Sequence, residues 1–182
     1  MRTATFRRCA LALAVLAMSP GAVRASKPHR LVLDVALDTR TFTFDRGVKP
    51  FESNPPDILR GDTFVVNGKV YPGGTIPAGE SVFSPDEPGA IGDWLCRGVF
   101  LVGFTEIAAG APIHVDTTQL FLLARDSSLV TEGQEGVVTT RRAVTGGTGR
   151  YKGVAGQARQ EMLGTNTTGL FNLRITFEFS DK

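Results

Sequence analysis

The end of the chain alternates strictly between apolar and polar side chains. In "GLFNLRITFEF" (residues 169–179) polar residues separate five apolar ones, which are Phe171, Leu173, Ile175, Phe177 and Phe179. A period of two places these five side chains on one face of a β-strand and the polar ones on the other. A segment of this kind needs neighbouring strands and a core on one side.

The same pattern recurs along most of the chain. Seven more segments rich in β-branched and aromatic residues lie between Gly, Pro, Asn and Asp clusters, at residues 31–39, 62–71, 94–104, 114–124, 128–134, 136–144 and 153–163. Helical periodicity is almost absent. The sequence therefore predicts an all-β domain with about eight strands.

The connections between these segments predict how the strands are joined. Most are too short for a helical crossover, so neighbouring strands should be antiparallel. Eight meandering strands favour a closed barrel, and a two-sheet sandwich is the alternative. Two longer irregular stretches, residues 46–59 and 72–93, are expected to lie at one end of the sheet and to carry function.

The N-terminus has the three parts of a secretory signal peptide. Arginines 2, 7 and 8 precede the apolar run "CALALAVLAM", and "AVRA" supplies small residues for cleavage after residue 25. The apolar run is too short to span a bilayer. We expect residues 1–25 to be removed and the product to be secreted or periplasmic without membrane attachment. Residues 26–61 would then contribute the first strand and a Pro-rich loop, and residues 62–182 the main body of one domain.

Signal removal changes the charge and the cysteine count. The chain has 20 basic and 18 acidic residues, and four arginines leave with the signal, so the remaining 157 residues carry a net charge of −2. No basic cluster supports nucleic-acid binding. Cys96 alone remains, so no intrachain disulfide can form. We expect it to be a small buried residue on a strand; the alternative is a pocket-lining or reactive thiol.

A glycine-rich stretch, "RAVTGGTGRYKGVAG" (residues 142–156), poses the question of phosphate binding. Its glycine spacing does not match a dinucleotide fingerprint, and a strand follows instead of a helix. Lys152 lacks the flanking Gly and Ser/Thr of a Walker loop. We expect these glycines to allow a tight turn between two strands. The predicted turn residues are Gly146, Gly147, Gly149 and Gly153.

The segment "AVTGGTGRYKGVAGQ" resembles a stretch of the dirigent proteins, whose fold is shared with allene oxide cyclases. "GDTFVVNGKVYPGGTIPAG" and "LGTNTTGLFNLRITFEF" resemble bacterial secreted members more loosely. The resemblance implies an eight-stranded antiparallel barrel with a central cavity, assembled as a dimer or trimer. It also implies coupling or cyclisation of a small molecule without metal or organic cofactor. The exposed face of the last strand could serve for assembly. The cysteine pair general in plant members is missing here.

Chemistry in such a cavity needs a carboxylate whose pKa is raised by apolar walls, together with donors for developing charge. Glu106 interrupts the apolar run "FLVGFTEIAAG" and is the predicted catalytic residue. The predicted ligand-binding residues, all on strands or strand ends, are Asn67, Tyr71, Arg97, His114, Asp116, Arg141 and Arg142. His114 and Asp116 share a strand face but lack further ligands, so we predict no metal site.

Three functions from different classes fit these observations. The first is a barrel that binds a small, largely apolar molecule and directs its cyclisation or coupling. The second is a carrier with the same cavity and no chemistry. The third is a structural or interaction barrel whose interior is filled by side chains. An enclosed void would exclude the third, and a carboxylate beside an arginine or tyrosine in that void would favour the first.

Overall fold

The computed structural model describes residues 30–47, 57–136 and 139–180. The signal peptide predicted at residues 1–25 lies outside the described residues. One short helix, α1, spans Phe104–Ala108. The nine strands are β1 (Arg30–Leu37), β2 (Thr43–Phe44), β3 (Thr63–Pro72), β4 (Gly92–Phe100), β5 (Val115–Leu123), β6 (Ser127–Glu135), β7 (Thr140–Thr148), β8 (Gly156–Thr165) and β9 (Phe171–Phe179). No helix among the described residues is long and apolar enough to span a membrane.

The sheet closes on itself through β1. This strand pairs antiparallel with β9 on one side and with β3 on the other, and every other strand pairs with its neighbour in the chain. β2 pairs with β3 beyond the point where β1 ends, so it continues the line of β1 along the same edge. The protein is an eight-stranded antiparallel barrel with one extra strand. The sandwich alternative is wrong, because closure leaves a single continuous sheet.

Each of the eight predicted strands is present, with ends shifted by a few residues. β7 is shifted by four residues at both ends, predicted over residues 136–144 and observed over Thr140–Thr148. A β-bulge lets the strand continue, and Gly147 then lies so close to β6 that a Cβ atom would come 2.5 Å from the Ser128 carbonyl oxygen. The turn itself begins at Gly149, which has a φ of 56°, and includes Gly153 at 72°. Two predicted turn glycines therefore belong to the strand.

The inward faces of the strands form one apolar core. The alternating residues of β9 point into the barrel as the sequence predicts, where Phe177 and Ile175 are fully buried. We call the end of the barrel where β1, β4, β6 and β8 finish the upper end. Aromatic rings fill the lower half of the lumen: Trp94, Phe121, Tyr151, Phe177 and Phe179.

The loop between β3 and β4, residues 73–91, lies along the outside of the barrel and forms a second small core. Ile76 packs there with Ala36 and Tyr71, both on outward-facing positions of their strands. The loop also contacts the outer face of β9, where Asn172 donates from Nδ2 to the Val82 carbonyl oxygen at 2.8 Å. The outer face of β9 is therefore partly covered, contrary to the expectation that it is exposed and free for assembly.

Candidate functional site

Two charged side chains occupy the lumen of this barrel. Arg142 on β7 and Glu135 on β6 point inward, and the other inward-facing residues of the described strands are apolar or neutral. The guanidinium Nη1 lies 3.0 Å from Glu135 Oε1. Two opposite charges in an apolar lumen require each other, because either one alone would be an uncompensated buried charge.

Arg142 is fully enclosed by protein. Its side chain is 0% exposed, and it donates to Thr131 Oγ1 at 3.1 Å and to the carbonyl oxygens of Gly133 (3.1 Å) and Thr117 (2.9 Å). Burial lowers the pKa of the Arg142 guanidinium below its usual value, and the charge of Glu135 opposes that shift. Gly133, which packs against Arg142, has a φ of 146°, a conformation that favours glycine.

The two oxygens of Glu135 have different surroundings. Oε1 accepts hydrogen bonds from Thr117 Oγ1 at 2.8 Å and from Gln119 Nε2, in addition to its contact with Arg142. No described residue donates a hydrogen bond to Oε2. The carboxylate is thus held in place through one oxygen while the other is available, and 16% of the side chain is exposed.

The polar network continues across the lumen to β8. Gln119 Nε2 also donates to Gln160 Oε1 at 2.7 Å, and Thr131 Oγ1 donates to Gln119 Oε1 at 3.3 Å. Thr140 faces Gln160 across the β7–β8 pair, and its buried hydroxyl has no hydrogen-bond partner among the described residues. The upper lumen therefore holds buried polar groups that the protein leaves partly unpaired.

A cavity of about 70 Å³ lies above this network. Glu135 and Gln160 supply its polar side. The rest of its wall is Leu37, Ile113, Val115, Gly136, Met162, Phe171 and Leu173. A site with one carboxylate, one amide and an apolar wall can bind an apolar molecule through a single hydrogen-bonding group.

Arg142 is the predicted ligand-binding residue that points into the lumen. Arg141 points outward, since neighbouring residues of a strand face opposite sides. His114 precedes β5, and its Nε2 lies 2.8 Å from Gln134 Oε1. Tyr71 is buried outside the barrel under the β3–β4 loop, where its hydroxyl donates to the Glu87 carbonyl oxygen at 2.9 Å.

Three more predicted ligand-binding residues line outer grooves. Arg97 and Asp116 lie together in a groove of about 620 Å³ that crosses β3 to β6 on the outer face. Asn67 lines a second outer groove of about 390 Å³ between β3, β4 and the β3–β4 loop. The sequence placed these residues in one cavity with Arg142, whereas strand alternation puts them on the opposite side of the sheet.

Glu106 is not a buried carboxylate. It lies on α1 with 41% of its side chain exposed, forms an ion pair with Arg60, and accepts from the Gly103 N–H at 2.7 Å. The hydrogen bond from Arg60, followed by that from Gly103, lowers the pKa of the Glu106 carboxyl, opposite to the predicted direction. This arrangement stabilises the first turn of α1. A catalytic role for Glu106 stays a prediction without geometric support.

Glu135 and Gln119 were not predicted as site residues, although the strand pattern indicates that they point inward. On β6 the alternation that buries Leu129 and Thr131 also turns Glu135 inward, and on β5 it turns Gln119 inward. Polar residues in phase with an apolar face indicate a functional or paired group. Glu135 was not predicted because the predicted strand ended at residue 134, whereas Gln119 lies within the predicted strand 114–124 and its inward phase was not considered.

Cys96 is buried, as expected from its strand position. It is 1% exposed on the inner face of β4, opposite Gln119. Burial, followed by the negative charge of Glu135, raises the pKa of the Cys96 thiol well above its ordinary value. Within the described ranges no group of three or more His, Cys, Asp or Glu residues is placed to hold a metal ion.

Solved structures of other proteins share this fold. No protein-family model matches the chain, and neither does any curated protein. Among solved structures, the pterocarpan synthase dirigent protein PsPTS1 aligns with a TM-score of 0.60 at 12% identity, covering 87% of this chain and 99% of its own. The pterocarpan synthase dirigent protein GePTS1 gives 0.55 at 14% identity, over 94% and 100%. A pyocyanin demethylase gives 0.53 at 16% identity, over 84% and 100%.

Proposed function

We propose that this dirigent-like β-barrel is an exported protein that binds a small, largely apolar, neutral molecule at the upper end of its lumen and acts on it through Glu135. The proposal rests on the surroundings of the Glu135 carboxylate. One oxygen is fixed by Arg142, Thr117 and Gln119, and the other has no described donor beside an apolar wall.

The charge of the lumen supports a neutral ligand. Arg142 and Glu135 cancel each other, so a bound ion would add a charge without a partner in an apolar setting. A hydroxyl group would satisfy the site, because it can donate to Glu135 Oε2 and accept from the Gln160 amide. Leu37, Met162 and Phe171 would contact the apolar body of the molecule.

The geometry supports proton transfer as the chemical step. Glu135 Oε2 would take the proton of a bound hydroxyl, and the freed oxygen would attack an electrophilic carbon of a double bond in the same molecule. The C–O bond would form as the π bond opens, and the carboxyl would return the proton to the atom that receives the π electrons. The step is an isomerisation and consumes no other reactant. Arg142 would stay charged throughout and stabilise the Glu135 carboxylate before the first transfer and after the second.

The structural neighbours support this choice through their names alone. Two are called pterocarpan synthase and one pyocyanin demethylase, so this barrel shape is compatible with action on small molecules. At 12–16% identity the likeness concerns the fold. Cyclisation or coupling by this chain without a cofactor therefore rests on the Glu135 site and the sequence resemblance.

One observation favours a filled structural barrel as the second candidate. The lumen cavity measures about 70 Å³, well below the several hundred Å³ of most small-molecule sites. In that case the Glu135–Arg142 network would connect β5, β6, β7 and β8 without binding anything. The two candidates differ in whether the wild-type protein retains a small molecule and whether that retention depends on Glu135.

The test compares two glutamates of the same strand. Glu135→Gln keeps the shape of the lumen group but removes its charge, and Glu132→Gln does the same on the outer face of β6. Each form is produced in the native source and purified. The small molecules that it retains are then extracted and identified by mass spectrometry. We expect retention by the wild type and by Glu132→Gln, and loss of about tenfold or more in Glu135→Gln. Equal retention by all three forms, or none by any, would reject the proposal.

Export and self-association complete the proposal and are supported by the sequence and its resemblance. N-terminal sequencing of the exported protein should begin at Ser26. Analytical ultracentrifugation should show a dimer or trimer. Cell-retained protein starting at Met1, or a monomer at all concentrations, would remove the respective part.

A further inference from the structure

The β3–β4 loop is held to the barrel by two different sets of contacts. Near its start, the fully buried carboxylate of Asp34 accepts from the N–H groups of Gly74 (2.8 Å) and Ile76 (2.9 Å) and from Arg174 Nε (2.8 Å). Breaking these bonds would leave a buried charge without its partners. The start of the loop is therefore a fixed base.

Residues 79–83, which we call the loop tip, bind the β8–β9 hairpin through main-chain bonds. The Gly79 N–H donates to the Leu163 carbonyl oxygen at 2.8 Å, and the Val82 N–H to that of Thr165 at 3.3 Å. The Thr165 hydroxyl also accepts from Ser81 N at 3.0 Å and donates to Glu80 at 2.5 Å. No charge pair with a fully buried carboxylate holds this part among the described residues.

The hairpin that the loop tip holds is also a wall of the lumen cavity. Its outward groups, such as Thr165 O and Asn172 Nδ2, contact the tip, while Met162 and Phe171 line the cavity. A displacement of the hairpin would therefore change the cavity directly.

The closed position of the tip is strained. Ser81 has a φ of 53° and Phe83 a φ of 65°, and a bulky aromatic residue at positive φ is a genuine outlier. Beneath the tip, no residue in the described part of the chain forms a hydrogen bond with the buried Asn172 Oδ1. Such strain is found at segments with a second conformation. After the tip, Tyr71 holds the Glu87 carbonyl oxygen, so the strained part is bounded on both sides.

We infer that the loop tip is a clasp that keeps the β8–β9 hairpin closed over the lumen, and that its release opens the lumen to small molecules. A cavity of about 70 Å³ holds a few waters, so a larger molecule needs such an opening to enter. The nature of the entering ligand rests on the proposed function; the motion itself does not.

Cys96 provides a probe of lumen access that needs no ligand. Its thiol is buried in the lumen, so a small neutral reagent such as methyl methanethiosulfonate can reach it only when the barrel opens. Labelling is followed by mass spectrometry on the peptide that carries Cys96, using the full protein. Hydrogen exchange of residues 163–172 is measured in parallel.

Two threonines provide a matched pair of variants. Thr165→Val removes two hydrogen bonds at the clasp, and Thr148→Val removes two at the lower end of the barrel, to Ser128 Oγ (2.9 Å) and the Asp126 carbonyl oxygen (3.1 Å). We expect Thr165→Val to label about thirtyfold faster than wild type, the factor for two lost net hydrogen bonds. Thr148→Val should label at the wild-type rate.

A second variant tests the opposite direction. Ser81→Gly relieves the positive φ at the tip and should slow both Cys96 labelling and hairpin exchange. Equal labelling rates in Thr165→Val and Thr148→Val, or exchange of the hairpin only through global unfolding, would overturn the clasp. That outcome would leave the Glu135→Gln experiment unaffected, because the labelling contains no ligand.

Discussion

The lower and upper halves of the lumen lie in the same barrel and use opposite chemistry. In the lower half, the rings of Phe121 and Phe177 meet edge to face with centroids 5.1 Å apart. In the upper half, Glu135 and Arg142 sit in a polar network beside a cavity. Close packing of rings stabilises a barrel and leaves no room, whereas a polar network beside a void stabilises little and can bind. A second group of packed rings, Phe44, Phe64 and Phe100, lies at the upper end beside β2 to β4. We therefore assign stability to the two ring clusters and function to the polar network beside β5 to β8.

The largest expected effect is a loss of stability in the lower half. Phe177→Ala removes a fully buried ring that contacts Phe121 and Phe179, which should lower the free energy of unfolding by roughly 4 kcal/mol. Phe171→Ala at the cavity wall should cost clearly less, because Phe171 is only partly buried. Urea denaturation measures both. Equal losses would show that the two halves do not differ in packing.

The next prediction tests whether Arg142 and Glu135 stabilise the protein only by compensating each other's charge. Arg142→Met leaves Glu135 as a buried carboxylate without its cation, at a cost of roughly 3 kcal/mol in urea denaturation. Combining it with Glu135→Leu should restore most of the stability while ligand retention stays lost. If the double variant is as unstable as the single one, the network contributes to stability beyond charge compensation.

The smallest expected effect is that of replacing Glu106, which lies outside the lumen, in contrast to Glu135 within it. Glu106→Gln should leave ligand retention unchanged and destabilise the protein slightly at neutral pH. Arg60 and Gly103 lower the pKa of the Glu106 carboxyl from its ordinary value of 4.5. The contribution of Glu106 to the free energy of unfolding is therefore present above pH 4.5 and disappears as the pH falls through the lowered pKa. Exposure to solvent keeps the contribution small. Denaturation at pH 7 and pH 3 measures the difference, and loss of ligand retention would restore Glu106 as a site residue.

Strand alternation predicts the orientation of site residues that lie on strands, but not of residues outside the sheet. It turns Arg142 inward and Arg141 outward, although both were predicted to bind the ligand. Applied to β6 to its true end, it would have found Glu135. It could not place Glu106, because the apolar run there leaves the sheet after Phe100 and forms α1.

The sequence by itself determined the all-β class, the eight principal strands and their antiparallel order, because period-two patterning and short connections are local properties. The tertiary structure decided which polar groups meet. Glu135 and Arg142 meet only because β6 and β7 are neighbours and both side chains point into the lumen. The loop tip reaches the β8–β9 hairpin only because the barrel closes through β1. Contacts between strands and loops depend on register and closure, which no single segment encodes.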